Sequence, residues 1–83
     1  MNAFYQAALH IAERKLFRDS EPTKLASPRL GTGGTFVDIF LWDTAFSTFW
    51  ARYHADRFPV AASLDNFYRC QTSEGFISRQ IRP

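Results

Sequence analysis

Gly33-Gly34-Thr35-Phe36-Val37-Asp38-Ile39-Phe40-Leu41-Trp42-Asp43-Thr44-Ala45-Phe46-Ser47 is the stretch on which the reading of this chain turns. Two glycines lead into a run of aromatic and β-branched residues. The run carries two acids, Asp38 and Asp43, and closes on a Trp-Asp pair where a helix should begin. Glycine lets the backbone turn and pass close to another group. Thr35 to Leu41 reads as extended. Thr44 to Ala55 reads as a helix, with Ala45, Phe46, Phe49, Trp50 and Tyr53 as its apolar stripe. Asp43 stands where an N-cap would, beside backbone N–H groups that favour a negative charge. The same pair also suits a sugar. An indole covers the apolar C–H face of a pyranose, and a neighbouring carboxylate accepts hydrogen bonds from its hydroxyls.

Upstream, residues 2–18 read as an amphipathic helix. Phe4, Ala8 and Ile11, with Tyr5, Leu9, Ala12 and Leu16, recur at spacings of three and four and form one broad face. Asn2 is its expected N-cap. From Asp19 to Gly34 the pattern stops, and Pro22, Pro28 and the glycines mark a long loop, a length that often signals function. Downstream, a short turn leads to Pro59, well placed as the first residue of a third helix. Val60, Ala61, Leu64, Phe67 and Tyr68 give that helix an apolar face, and Gly75 suits its C-terminal end. The two later helices, within residues 43–75, should form an antiparallel hairpin because so few residues join them. Residues 76–83 form a tail.

Bulk composition narrows the classes. Eighty-three residues make one domain at most. A hydrophobic share of 46%, with nine Phe and two Trp, is heavy for so short a chain and favours a piece of something larger over a self-contained mini-core. The net charge of +2 is spread and interleaved with acids, so there is no nucleic-acid footprint. No apolar run approaches the roughly 20 residues of a membrane span. No secretory signal is visible, and the single Cys70 has no partner for an internal disulfide. Both points suggest a reducing, cytoplasmic setting.

Other motifs fall away on inspection. Gly31-Thr32-Gly33-Gly34 lacks the Lys-Ser/Thr that a phosphate loop requires. His10 and His54 share no metal-ligand spacing, and His54 near a helix C-terminus is explained by the helix dipole. No metal or cofactor is expected. Asp38 and Asp43 could be the two carboxylates of a glycosidase. Read from the residues alone, they fit better as a local loop contact and a helix cap. The stripe of Phe46, Phe49, Trp50 and Tyr53 reads as core, or in a fragment as a face for absent neighbours.

Gly33 to Phe46 resembles the first signature of trehalases: Gly-Gly-Arg-Phe, an acid, an aromatic, then Trp-Asp and a further aromatic. It is similar also to the matching segment of processing α-glucosidases and mannosylglycerate hydrolases. Downstream, Leu64-Asp65-Asn66-Phe67 to Gln71 and Glu74-Gly75-Phe76-Ile77-Ser78-Arg79 resemble the same group, where a helix ends in Gln before an acid-Gly-Phe-Ile-Pro-Arg run. The resemblance spans Gly33 to Ile81. It implies an (α/α)6 toroid and inverting hydrolysis of an α-glycosidic bond. It makes Trp42 and Asp43 sugar contacts at the cleavage subsite, with Phe36 and Asp38 shaping the loop. Two departures stand out. Thr35 replaces a sugar-binding Arg, which puts trehalose in doubt, and Ser78 replaces Pro.

The expectation is therefore an all-α chain: one helix and a helical hairpin within an (α/α)6 toroid, with a long glycine-rich loop. It would be an N-terminal piece of an inverting glycosidase that binds a small carbohydrate through Phe36, Asp38, Trp42 and Asp43. The general acid and base would lie on later helices, leaving this chain inactive alone. Its partners would be the remaining helices of the parent domain or a second copy. The alternative is a self-standing helical module that oligomerises through its aromatic face.

Overall fold

Asn2 starts the first helix as its sequence suggests. In the computed structural model, which describes residues 2–33 and 36–83, the Asn2 carboxamide oxygen accepts from the Tyr5 N–H at 2.8 Å. That satisfies one of the donors a helix start leaves open. Helix α1 spans Ala3–Glu13. It ends before residue 18 because Leu16–Phe17 (β1) leave the helix to pair antiparallel with Arg29–Leu30 (β2). Ile39–Phe40 (β3) leads directly into α2, Leu41–Ala51. A 3₁₀ turn over Arg52–His54 follows, then α3, Val60–Arg69. Gln80–Ile81 (β4) pairs antiparallel with β3.

The all-α toroid expectation is thus overturned: among the described residues three α-helices stand with two antiparallel two-stranded ladders. The reason is local. Leu30 and Arg29 are almost wholly buried, and Ile81 is 5% exposed. Pairing brings Leu30 beside Leu16 and Ile81 beside Ile39, burying apolar surface that a longer helix or a free tail would leave wet. Tertiary burial outweighs helix propensity at the end of α1.

Two small cores result. Leu9, Ala12, Leu30, Ala51 and Phe58 form one, with Trp50 packed against it; Leu25, Ile39, Phe67 and Ile81 form the other. Full burial of Phe58 and Phe67 stabilises the fold by about 1.5–3 kcal/mol each. Pro59 is the N-cap of α3, and α3 ends at Arg69, well before Gly75. Gly75 instead sits in a turn at φ +92°, a conformation other residues avoid.

Polar side chains on α3 hold the long loop down. Ser63 Oγ accepts from the Leu30 N–H at 2.9 Å, and Asn66 Oδ1 accepts from the Ala26 N–H at 2.8 Å. Both side chains are buried. Within the loop, the Arg29 guanidinium is fully buried. It makes a two-pronged pair with Asp19, at 2.5 and 3.1 Å, donates to the Ala26 carbonyl, and lies over the Phe17 ring. The loop is therefore a pinned structure between two α-helices.

Helix α2 buries Thr44, Ser47 and Ala51, its small face. The aromatic stripe expected in the core lies largely outside: Phe46, Phe49 and Tyr53 are exposed, and only Trp50 is half-buried. Small residues let the helix come close to its neighbours, and the larger rings on the other side meet only one another, Trp42 and the Arg52 guanidinium among the described residues. Helix α1 behaves alike, with Leu9 and Ala12 buried while Phe4 and Ile11 are exposed. Among the described residues no helix is long and apolar enough to cross a membrane.

Candidate functional site

Helix α2 begins three residues earlier than the N-cap reading of Asp43 requires. Phe40 is the N-cap and makes no side-chain cap bond. The Leu41 N–H donates instead to the Arg79 carbonyl at 2.8 Å, because the β3–β4 ladder runs on into the helix start. Asp43 is released from capping and sits in the first turn. There the helix dipole still favours its charge. Its carboxylate is exposed and has no hydrogen-bond or ion-pair partner among the described residues.

Asp43 opens onto a cleft of about 250 Å³, lined also by Lys15, Thr32, Phe46, Ser47 and Trp50. Three segments supply these groups. Lys15 precedes β1 and Thr32 follows β2, and the ladder between them continues as a bond from the Gly31 N–H to the Lys15 carbonyl at 2.7 Å. A Cβ added to Gly31 would stand 3.4 Å from that same carbonyl, in van der Waals contact with it. Asp43, Phe46, Ser47 and Trp50 project from successive turns of α2 at helical spacing. Lys15 and Asp43 share the cleft without forming an ion pair, and Lys15 has no other side-chain partner among the described residues. The result is a cation, a carboxylate and two hydroxyls around a hollow with two aromatic walls.

The other expected site residues lie elsewhere. Trp42 is 74% exposed and does not line the cleft. Its ring stacks on Phe46, with centroids 5.9 Å apart and planes 19° from parallel. Phe36 is exposed and meets Phe40 edge to face. Asp38 accepts from Gln80 Nε2 at 2.9 Å, so it braces the β3–β4 ladder. The structure therefore brings Asp43 and, through Phe46, Trp42 to one place, while Phe36 and Asp38 stand apart from it. Lys15, Thr32 and Ser47 were missed as site residues. Only the β1–β2 pairing makes the first two neighbours of Asp43, and no spacing in the sequence signals it.

His54 does not simply face a helix end. Its Nε2 is hydrogen-bonded to the Tyr5 hydroxyl, joining α1 to the 3₁₀ turn. Among the described residues no three His, Cys, Asp or Glu side chains gather as metal ligands would. Comparison with known families, with characterised proteins and with solved structures matches this chain to none of them.

Proposed function

We propose that this chain supplies the sugar-binding part of an inverting glycoside hydrolase acting on α-glycosidic bonds of small glycosides, and that it does not hydrolyse them alone. The observation that carries the reading is the Asp43 cleft. An unpartnered carboxylate faces Lys15, Thr32 and Ser47 between the rings of Phe46 and Trp50. Hydroxyls of a pyranose can bridge Asp43 and Lys15, and its C–H faces can lie on the rings. Trp42 extends the aromatic surface past Phe46. The resemblance of Gly33–Phe46 to glycosidase signatures supports the same chemistry, and the cleft does not depend on a toroid.

Inversion requires two carboxyl groups some 6.5–9.5 Å apart, flanking bond and water. Asp43 is the only carboxylate lining the cleft among the described residues. It therefore binds hydroxyls, and the acid and base come from outside this set. Titration of the 15N-labelled protein with methyl α-D-glucoside tests this. The Trp50 indole N–H resonance should shift, and Asp43→Asn should weaken binding about tenfold, as loss of a charge-assisted bond does. No shift at any attainable sugar concentration refutes sugar binding. Glucose release from α-glucosides well above background refutes the inactivity.

A second reading is favoured by a separate observation. Trp42, Phe46 and Phe49 form a continuous exposed series, with successive ring centroids 5.9 and 6.1 Å apart. Such a patch suits self-association or the remaining helices of a parent domain. Sedimentation that finds a monomer at all concentrations, together with strong binding of an apolar dye, counts against a self-standing oligomer.

A further inference from the structure

Beside the Asp43 cleft lies a second one, of about 290 Å³, lined by Tyr5, Ala8, Leu9, Ile11, Ala12, Lys15, Trp50 and His54. Lys15 and Trp50 line both. The chemistry changes across that shared wall. One side carries Asp43, Thr32 and Ser47; the other is built from the apolar face of α1. Away from Lys15 and Trp50 on the shared wall, the groups there with polar tips, Tyr5 and His54, are bonded to each other, so that end presents ring faces in preference to free donors. A lysine fits such a boundary, because its stem is apolar and its head is charged. Trp50 packs edge to face on buried Phe58, with centroids 5.1 Å apart, so the dividing wall is fixed by the core. Singly, each cleft is smaller than the about 300 Å³ at which ligand pockets begin, and the shared Lys15 and Trp50 let one ligand touch both.

We infer that the two clefts take one amphipathic ligand: an α-glycoside whose sugar occupies the Asp43 side and whose apolar alkyl or aryl aglycone lies against α1. This rests on the proposed sugar-binding reading and adds the class of aglycone. A polar aglycone would lose water against Ala8, Leu9, Ile11 and Ala12 without gaining partners, whereas a hydrocarbon one gains by leaving water.

Three ligands separate the possibilities: methyl α-D-glucoside, hexyl α-D-glucoside below its micelle concentration, and hexan-1-ol. Binding is followed by NMR on the Trp42 and Trp50 indole N–H resonances of the wild-type chain and of Ala8→Trp, whose added indole gives a third. Ala8 is exposed on α1, so a larger ring there fills the apolar cleft without entering the core. The expected result is that hexyl glucoside binds roughly tenfold or more tighter than methyl glucoside, the effect of a few buried methylene groups. Trp50 should shift more than Trp42. Ala8→Trp should erase the gain while leaving methyl glucoside affinity unchanged. Equal affinities for the two glucosides overturn the inference and leave the sugar reading standing. Hexan-1-ol binding as tightly as hexyl glucoside also overturns it, since the clefts would then act separately. Failure of methyl glucoside to bind at all removes the sugar reading, and this inference with it.

Discussion

Asp19→Ala should bring this protein close to unfolding, although Asp19 lies in a loop. Its partner Arg29 is fully buried, and the Asp19 side chain is 9% exposed. Arg29 has few other partners. It donates to the Ala26 carbonyl at 3.2 Å and lies 4.7 Å from the Phe17 ring centroid, while its Nε has no acceptor among the described residues. Removing the carboxylate leaves a buried charge nearly uncompensated, a loss of about 3–5 kcal/mol. A chain of this length has about 4–12 kcal/mol in total, at roughly 0.05–0.15 kcal/mol per residue. Urea unfolding followed by far-UV circular dichroism measures the change. The double substitution Asp19→Leu with Arg29→Met should recover more than half of it, because hydrophobic replacement removes both charges together. The pH dependence has a definite sign. The hydrogen bond from Arg29 holds the Asp19 carboxyl below its usual 3.8; burial opposes this, and the Arg29 charge adds to it. The folded state then binds its proton at lower pH than the unfolded chain. Stability from the pair is complete above about pH 4 and is lost as pH falls through the folded value. Asp19→Asn should lack that acid limb. An Asp19→Ala protein within about 1 kcal/mol of wild type, or a double variant no more stable than the single one, would refute the reasoning.

Ser63→Ala should cost about 1–3 kcal/mol in the same unfolding assay, because the buried Leu30 N–H loses its Ser63 acceptor. Glu13→Gln should change stability by less than about 1 kcal/mol, and less still in high salt. Its ion pair with Arg57 joins side chains 39% and 41% exposed. Phe49→Ser should leave the unfolding midpoint within about 0.5 kcal/mol of wild type, since Phe49 is 60% exposed. The same change should lower apolar-dye binding and any dimer fraction seen by sedimentation.

Local signals in the sequence were readable where the deciding contact is itself local. Asn2 caps the helix that starts at the next residue by bonding three residues on, and the helix read after Trp42-Asp43 appears, begun earlier at Leu41. The ladders were not readable. Leu16 pairs with Leu30 and Ile39 with Ile81, each over only two residues. Two residues are too few to show an alternation of period two, so the hydrophobic pattern of α1 ran on past its true end. The stripe on α2 misled for another reason. Periodicity reports that a helix has an apolar side; it does not say which side is covered. In α2 the small residues Thr44, Ser47 and Ala51 face inward, and the rings face out. Of the four site residues read from the Trp-Asp stretch, Asp43 alone lines the cleft; the other contributors are Lys15 and Thr32 from the β1–β2 ladder and Phe46, Ser47 and Trp50 from later turns of α2.

This dependence on distant segments makes the Asp19–Arg29 pair relevant to the cleft as well as to stability. Lys15 and Thr32 flank the two strands that the pair holds together, and neither belongs to a helix. The α2 residues of the cleft keep their relative positions as long as the helix stands. The distance between Asp43 and Lys15 is instead set by how well β1 and β2 stay clipped. Loosening the clip should therefore widen the cleft before it melts α2. Under conditions where Asp19→Asn is still folded, sugar affinity should fall while the Trp42–Phe46 stack, confined to one helix, persists. An Asp19→Asn protein that binds methyl α-glucoside as tightly as wild type would refute this dependence of the cleft on the β1–β2 clip.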